Sequence, residues 1–274
     1  MVIKVFCLVI GKLAEMLKIG IKLWSTNIEV LSQVSDMYSH AIFDYIELYL
    51  VPGTFCETVE CWNGLKIPII VHAPHFGHGF NLADKDLKDS NIKIFRDVFR
   101  YADRLRTDTI IVHGGNGGEK GETIQQLKFL KDSRVLIENK PKMGLNGKEC
   151  IGYMPEDLFE IVTECGLRGF VLDFNHAVCA ARSLSRDPLD FIEGFLIQNP
   201  RMFHFGDGDY CSLVDTHMNL GCGSMPLAKF AARLPQEAII TIETPNDFSR
   251  GLCDFEKNKV FFNCFLDVHL KRAN

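Results

Sequence analysis

The chain has 274 residues, of which 47% are hydrophobic and 24% are charged, so it is long and apolar enough to bury a full-sized core. This composition excludes disorder, collagen and coiled coil as descriptions of the whole chain. Lys and Arg total 30 against 35 Asp and Glu, and the formal net charge of -5 provides no overall basic field for nucleic acid. Any polyanion must therefore be attracted locally.

The amino-terminal segment and the cysteines bear on the cellular compartment. The apolar run Val5 to Ile10 is short for a signal peptide, and no segment approaches the roughly 20 apolar residues of a membrane span. The 10 cysteines form no CxxC pairs, which predicts reduced, mostly buried thiols and favours a cytoplasmic location. Residues 1–15, before Met16, are assigned to an N-terminal extension that need not belong to the native protein, and residues 16–274 to one catalytic domain.

Short β-rich runs alternate with amphipathic helical stretches along this domain. One such stretch begins at Pro155 and ends at Gly166, and proline at the start and glycine at the end are both favourable for a helix. A last helix is expected at about Glu256 to Leu270. Eight such units without a linker predict an α/β protein with a single (β/α)₈ TIM barrel, an open doubly wound sheet being the alternative. The predicted strands are Lys18–Trp24, Tyr45–Tyr49, Pro68–His72, Thr109–His113, Arg134–Glu138, Gly169–Asp173, Met202–Phe205 and Ala238–Glu243.

The most specific signal is positional, because six consecutive strands carry metal-capable residues at or near their carboxyl ends. In a barrel these ends converge on one mouth, where the chemistry is built. Carboxylates clustered there would repel one another unless cations neutralise them, so the sequence predicts a metal site. The candidate ligands are His72, His113, Glu138, Asp173, His176, His204 and Glu243 on or just after the strands, and Asp215 and His217 in the loop after the seventh strand.

The ligand types indicate a catalytic site for zinc, manganese or iron, because imidazole and carboxylate are combined without cysteine. The number of ions separates two chemistries. Three divalent ions would leave the pocket positive and suited to a phosphodiester. One ion, held by the ligands of strands five to eight, would leave it negative and better matched to a neutral sugar. Lys140 and Lys142 are either phosphate contacts or solvated side chains.

Several segments around these residues resemble the endonuclease IV family, the second family of apurinic/apyrimidinic endonucleases, within the xylose-isomerase-like barrels. The similarity covers roughly Leu17 to the carboxyl terminus. This chain has His75 where the family usually has tyrosine, and its loop after strand one carries no arginine. The matching segments are His72-Ala73-Pro74, Val112-His113-Gly114, Ile137-Glu138-Asn139, Leu172-Asp173-Phe174-Asn175-His176, Asp215-Thr216-His217, Gly221-Cys222-Gly223 and Ile242-Glu243-Thr244.

The resemblance implies a site with three zinc ions, with Mn²⁺ as an alternative at part of it. A metal-bridged hydroxide would attack the phosphorus 5′ to an abasic sugar in damaged duplex DNA, and the third ion would stabilise the leaving oxygen. Glu138 as the bridging ligand and Glu243 as an orienting group would be the catalytic residues. The implied ligand sets are His72, His113 and Glu138 for the first ion, Glu138, Asp173, His204 and Glu243 for the second, and His176, Asp215 and His217 for the third.

Two other hypotheses fit the same residues. A metal-dependent isomerase or epimerase of sugars or sugar phosphates would use Glu138 and Glu243 as its acid/base pair around one ion. A metal-binding scaffold without catalysis would keep the ligands but turn nothing over. None of the three hypotheses requires a membrane or an obligate protein partner.

Overall fold

The computed structural model describes residues 17–270, which form a closed barrel of eight parallel strands in chain order. Strand β8 pairs back with β1, so the predicted barrel is confirmed and the open sheet is wrong. The assigned extension, residues 1–15, lies outside the described residues. The strands are β1 (Lys18–Trp24), β2 (Tyr45–Tyr49), β3 (Ile69–His72), β4 (Ile110–His113), β5 (Val135–Glu138), β6 (Gly169–Asp173), β7 (Met202–Phe205) and β8 (Ile239–Ile242).

Nine α-helices within the described residues surround this barrel. The helix predicted after Pro155 ends before Gly166, which adopts the left-handed conformation that favours glycine. The last helix begins three residues before its predicted start. No helix of residues 17–270 is both long and apolar enough to cross a membrane. The helices are α1 (Leu31–Ser39), α2 (Phe55–Gly64), α3 (Lys88–Arg104), α4 (Lys120–Leu130), α5 (Pro155–Cys165), α6 (Phe174–Ser183), α7 (Pro188–Leu196), α8 (Leu227–Ala231) and α9 (Cys253–Leu270).

The strand register brings the metal-capable residues to one rim of the barrel. His113 lies beside Glu138 in the β4–β5 pair, and Asp173 lies beside His204 in the β6–β7 pair. Side chains alternate between the two faces of a strand, so the residue two positions earlier faces the same way. Those earlier residues form a separate apolar cluster, which places the ligands one layer above a dry barrel floor. The cluster consists of Tyr45, Ile111, Leu136, Val171 and Met202.

The cysteines agree only in part with the sequence prediction. The nine cysteines within residues 17–270 are free thiols, as expected for reduced cysteine. Only Cys150 and Cys179 are buried and Cys165 is half-buried, so the expectation of mostly buried thiols is wrong. The six exposed cysteines lie outside the sealed core, on α2, on α9 and in the loop after β7.

Candidate metal centre

Two of the predicted ligand sets form compact clusters, in which the ligand atoms lie within 4.8 Å of one another. In the first cluster, Nε2 of His72 is 3.2 Å and Nε2 of His113 is 3.0 Å from Oε2 of Glu138. In the third cluster, Oδ2 of Asp215 is 3.3 Å from Nε2 of His176 and 2.8 Å from Nε2 of His217. Each set therefore converges on a volume suited to one ion.

The second predicted set meets around a single nitrogen atom. Nδ1 of His204 is 2.9 Å from Glu243 Oε2, 3.6 Å from Glu138 Oε2 and 3.8 Å from Asp173 Oδ2. Glu138 also lies 2.9 Å through Oε1 from Nδ1 of His176. Glu138 thus contacts the metal-facing nitrogens of the first and second sets, as a ligand bridging those two positions would, and it meets His176 through the nitrogen that also faces the Asn139 carbonyl.

Backbone groups fix the orientation of the ligand side chains. Nδ1 of His72 is 2.7 Å from the carbonyl of Ala73, and Nδ1 of His176 is 2.9 Å from that of Asn139. A proton on Nδ1 satisfies each carbonyl and leaves Nε2 as the acceptor atom, as in many metal sites. Asp173 caps helix α6 by accepting the His176 N–H through Oδ1, which leaves Oδ2 facing the cluster.

The site also contains buried polar atoms that no group within residues 17–270 satisfies by hydrogen bonding. They include Nδ1 of His204, Oε2 of Glu243 and Oδ1 of Asp215. A buried polar atom without a partner carries a desolvation cost of about 1–3 kcal/mol, which coordination to an ion would remove. Imidazole nitrogens and carboxylate oxygens are suitable donors for divalent zinc or manganese. The residues present therefore fit a resident metal centre.

Three charged residues at this site were not among the predicted ligands. Nζ of Lys22 is 2.8 Å from Oε1 of Glu243 and 3.2 Å from Oε1 of Glu47. Nζ of Lys140 is buried, 3.3 Å from Oε1 of Glu138. The sequence interpretation of Lys140 as a solvated side chain is thus wrong. A charged residue in the middle of an apolar strand, as in the KIGIKLW of β1 and the YIELY of β2, was the available signal for Lys22 and Glu47.

Mutual attraction keeps the pair formed by Lys22 and Glu47 charged. Burial alone would lower the pKa of Lys22, but the carboxylates of Glu243 and Glu47 raise it above its usual range. Burial would likewise raise the pKa of Glu47, whereas His204 and Lys22 lower it to about 2. Both groups are therefore ionised at neutral pH.

Comparison with known proteins identifies the family. The family model for xylose isomerase-like TIM barrels matches residues 43–257. The chain belongs to the xylose isomerase-like TIM barrel family. No curated protein matches it significantly by sequence. The expected family is thereby confirmed at the level of the barrel superfamily.

Several solved structures have the same barrel. A D-tagatose 3-epimerase-like protein is 21% identical with a TM-score of 0.70, over 94% of this chain and 100% of that chain. Endonuclease IV from Thermus thermophilus is 20% identical with a TM-score of 0.67, over 91% and 99%. A Thermus thermophilus protein soaked with ZnCl₂ is 17% identical with a TM-score of 0.61, over 88% and 97%. At these identities the likeness establishes the fold alone.

Aromatic side chains from the ends of β1, β2 and β4 and from the loop after β3 form one wall of the site. Trp24 packs at 5.3 Å against Tyr49, whose Oη lies 2.7 Å from Nδ1 of His78. The His75 ring stacks on that of His113 at 5.9 Å. Burial and the nearby Lys140 charge lower the pKa of His75 to about 3, so this imidazole is neutral. The cavity beside this wall measures about 240 Å³ and opens to solvent at the barrel mouth that contains the metal ligands.

Zinc binding at the third cluster is expected to release two protons per ion. Burial would lower the pKa of His176 and His217, but Asp173 beside the first and Asp215 beside the second raise these pKa values to about 10 and about 9. Both imidazoles are protonated at neutral pH and must lose those protons to bind, so affinity rises with pH, by roughly 100-fold per unit below both pKa values. Calorimetry in buffers of different ionisation enthalpy counts the protons. The His217→Gln variant should release one proton fewer per zinc ion than the wild type. If the wild type released no protons, His176 and His217 would not be protonated metal ligands as expected here.

Proposed function

We propose that the protein is a zinc-dependent phosphodiesterase of the endonuclease IV type, which cleaves damaged duplex DNA 5′ to abasic sites. The observation that carries the proposal is the junction of the first and second donor sets at Glu138, with a compact third cluster of His176, Asp215 and His217 beside them. A single-ion sugar enzyme would need only the donors around His204. The clusters that contain His72 and His217 would then have no task.

The charge of the site supports an anionic substrate. With the histidines neutral, as metal binding requires, the five carboxylates and two ammonium groups give a charge of -3, which three divalent ions would make positive and one would not. The site with three ions is therefore still expected to be positive when Lys22, Glu47 and Lys140 are included in the sum. The site contains five carboxylates, from Glu47, Glu138, Asp173, Asp215 and Glu243, and two ammonium groups, from Lys22 and Lys140.

The residues of the site would have different roles in such a reaction. When bound, zinc held by the three clusters would supply Lewis acidity toward phosphoryl oxygens and lower the pKa of an attacking water. Lys22 holds Oε1 of Glu243 at 2.8 Å and thereby fixes the carboxylate that would orient the nucleophile. The wall containing Trp24 and Tyr49 shields one side of the cavity from water.

The test is cleavage of a labelled DNA duplex that contains one tetrahydrofuran abasic analogue. We expect the zinc-replete protein to nick this strand directly 5′ to the analogue, and a chelator to abolish the nick. Glu243→Gln should abolish nicking, which would also eliminate a scaffold without catalysis. The surface substitution Glu237→Gln makes the same chemical change away from the metal ligands and should leave the rate unchanged. Absence of nicking by fully metallated protein would overturn the proposal.

A sugar or sugar-phosphate isomerase or epimerase is the second candidate. The observation that favours it is the convergence of Glu138, Asp173, His204 and Glu243, which could hold one ion between two carboxylates able to transfer protons. A cavity of about 240 Å³ also suits a small sugar, and one structural neighbour is described as D-tagatose 3-epimerase-like. Turnover of a ketose that survives replacement of both Asp215 and His217 by alanine would favour this candidate.

A further inference from the structure

We propose that Glu47 and Lys22 are positioning residues for the second metal ion. They hold His204 so that it binds through Nδ1, and they hold Glu243 so that it binds through Oε2. The inference rests on the metal centre of the proposed function. It concerns two residues that contact ligands but are not themselves ligands.

Glu47 determines which nitrogen of His204 faces the metal position. The Glu47 side chain is fully buried, and its Oε2 is 2.9 Å from Nε2 of His204. The same oxygen accepts a hydrogen bond from Thr241 at 2.6 Å, and the Tyr45 hydroxyl lies 2.8 Å from that of Thr241. Since the Thr241 hydroxyl donates to Glu47, Tyr45 donates to Thr241. A carboxylate held in this way can only accept from Nε2–H, so the neutral imidazole of His204, the form that binds metal, has its lone pair on Nδ1.

This orientation is the reverse of that in the neighbouring clusters. His72 and His176 each present Nδ1 to a backbone carbonyl and turn Nε2 toward the other donors. His204 instead presents Nε2 to a buried carboxylate and turns Nδ1 toward Glu138, Asp173 and Glu243. A carboxylate behind an imidazole also raises its basicity as a ligand, which a carbonyl does less strongly.

Lys22 contacts both carboxylates that flank the His204 ring: Glu47, which faces Nε2, and Glu243, which faces Nδ1. Its Nζ forms an ion pair with Oε1 of Glu47 at 3.2 Å, without hydrogen-bond geometry, and a shorter contact at 2.8 Å with Oε1 of Glu243. Oε2 of Glu243 is buried and has no hydrogen bond from any residue of 17–270, and it lies 2.9 Å from Nδ1 of His204. The two ligand atoms that face each other are thus the two that have no other partner.

A purely structural role would not require these charges. The layer directly below is apolar and fills the barrel without ionised groups. Replacing a buried ion pair by apolar residues of similar volume is often neutral or stabilising, so stability alone does not explain Lys22 and Glu47 here. Their register, side by side on β1 and β2, places them in the same inward-facing layer as the ligands. The pair is therefore explained by what it does to His204 and Glu243.

The first experiment counts metal ions at controlled free zinc. We expect Glu47→Leu to weaken zinc binding at the second position by roughly 10- to 100-fold, leaving the other two positions filled. Lys22→Met, which keeps the aliphatic stem, should weaken the same position. The matched control is Glu60→Leu, which removes a carboxylate from an exposed ion pair with Arg104 and should leave the metal count unchanged. Wild-type zinc content and affinity in both site variants would overturn the proposal.

The second experiment needs no substitution that could disturb folding. In zinc-loaded wild-type protein with ¹⁵N-labelled histidine, the ring signals of His204 should show a protonated Nε2 and a metal-bound Nδ1, and those of His72 the opposite. A protonated Nδ1 on His204 would overturn the inference. The two proposals fail in different ways. A wild-type protein that binds one zinc ion with this His204 pattern would contradict the three-ion phosphodiesterase and support the positioning role.

Discussion

Glu138→Gln is expected to lower kcat/KM for the nicking of abasic DNA by roughly 150- to 5,000-fold, because breaking a buried charged network costs about 3–5 kcal/mol and each 1.36 kcal/mol is tenfold in rate. Glu138 has contacts of 3.2 Å to His72, 3.0 Å to His113 and 2.9 Å to His176. Glutamine keeps the size of the side chain but loses its charge, and one of its two oxygens becomes an amide group that cannot bind a cation.

Zinc content and single-turnover rate, measured on the same samples, show how the activity is lost. We expect Glu138→Gln to lose ions from the first and second positions together, since one side chain serves both. Glu149→Gln is the matched control, because Glu149 is an exposed carboxylate that accepts a hydrogen bond from Tyr153. A Glu138→Gln protein with a rate within tenfold of the wild type would show that the first and second positions do not act through a shared carboxylate.

The barrel could be predicted from the sequence because the strands are short apolar runs that alternate with amphipathic helices. Prediction and structure agree within about one residue at most strand ends; β3, for example, begins at Ile69 instead of Pro68. Proline has no N–H to donate to the strand ladder, so pairing begins after it. The closing pair of β1 and β8 joins opposite ends of the chain and follows from the number of units rather than from any local pattern.

The ligands were likewise predictable, but the groups behind them were not. Strand ends converge in any parallel barrel, so His72, His113 and Glu138 could be brought together without knowing a distance. Lys22 and Glu47 lie within their strands, and their role depends on the β1–β2 register that pairs them. Register is a property of the closed sheet and cannot be read from the residues of a single strand. The nitrogen that His204 offers depends on the same register, because Glu47 reaches it from across the barrel.

A second large effect is expected at Asp207, a buried residue that the sequence interpretation did not single out. Its carboxylate accepts four backbone N–H groups, which tie the loop after β7 back to the barrel. Oδ1 accepts from Gly208 at 2.8 Å and from Met225 at 3.1 Å, while Oδ2 accepts from Gly221 at 2.9 Å and from Gly223 at 3.0 Å. The close approach around this carboxylate leaves no space for a side chain at Gly223, whose added Cβ would lie 2.4 Å from Oδ1.

This loop carries Asp215 and His217, so Asp207 supports the third donor cluster without contacting it. Asp207→Asn turns one acceptor into a donor that faces two N–H groups, and the loss of two charge-assisted hydrogen bonds should lower the free energy of unfolding by about 3 kcal/mol. We expect the variant to lose the third zinc ion and keep the other two, measured by metal analysis beside denaturant unfolding. Asp209→Asn is the control, since Asp209 is exposed and its carboxylate accepts the N–H of Cys211. The prediction would be contradicted if Asp207→Asn kept three zinc ions and its free energy of unfolding lay within about 0.5 kcal/mol of the wild type, which is the range of ordinary surface substitutions. The loop would then hold its ligands without Asp207.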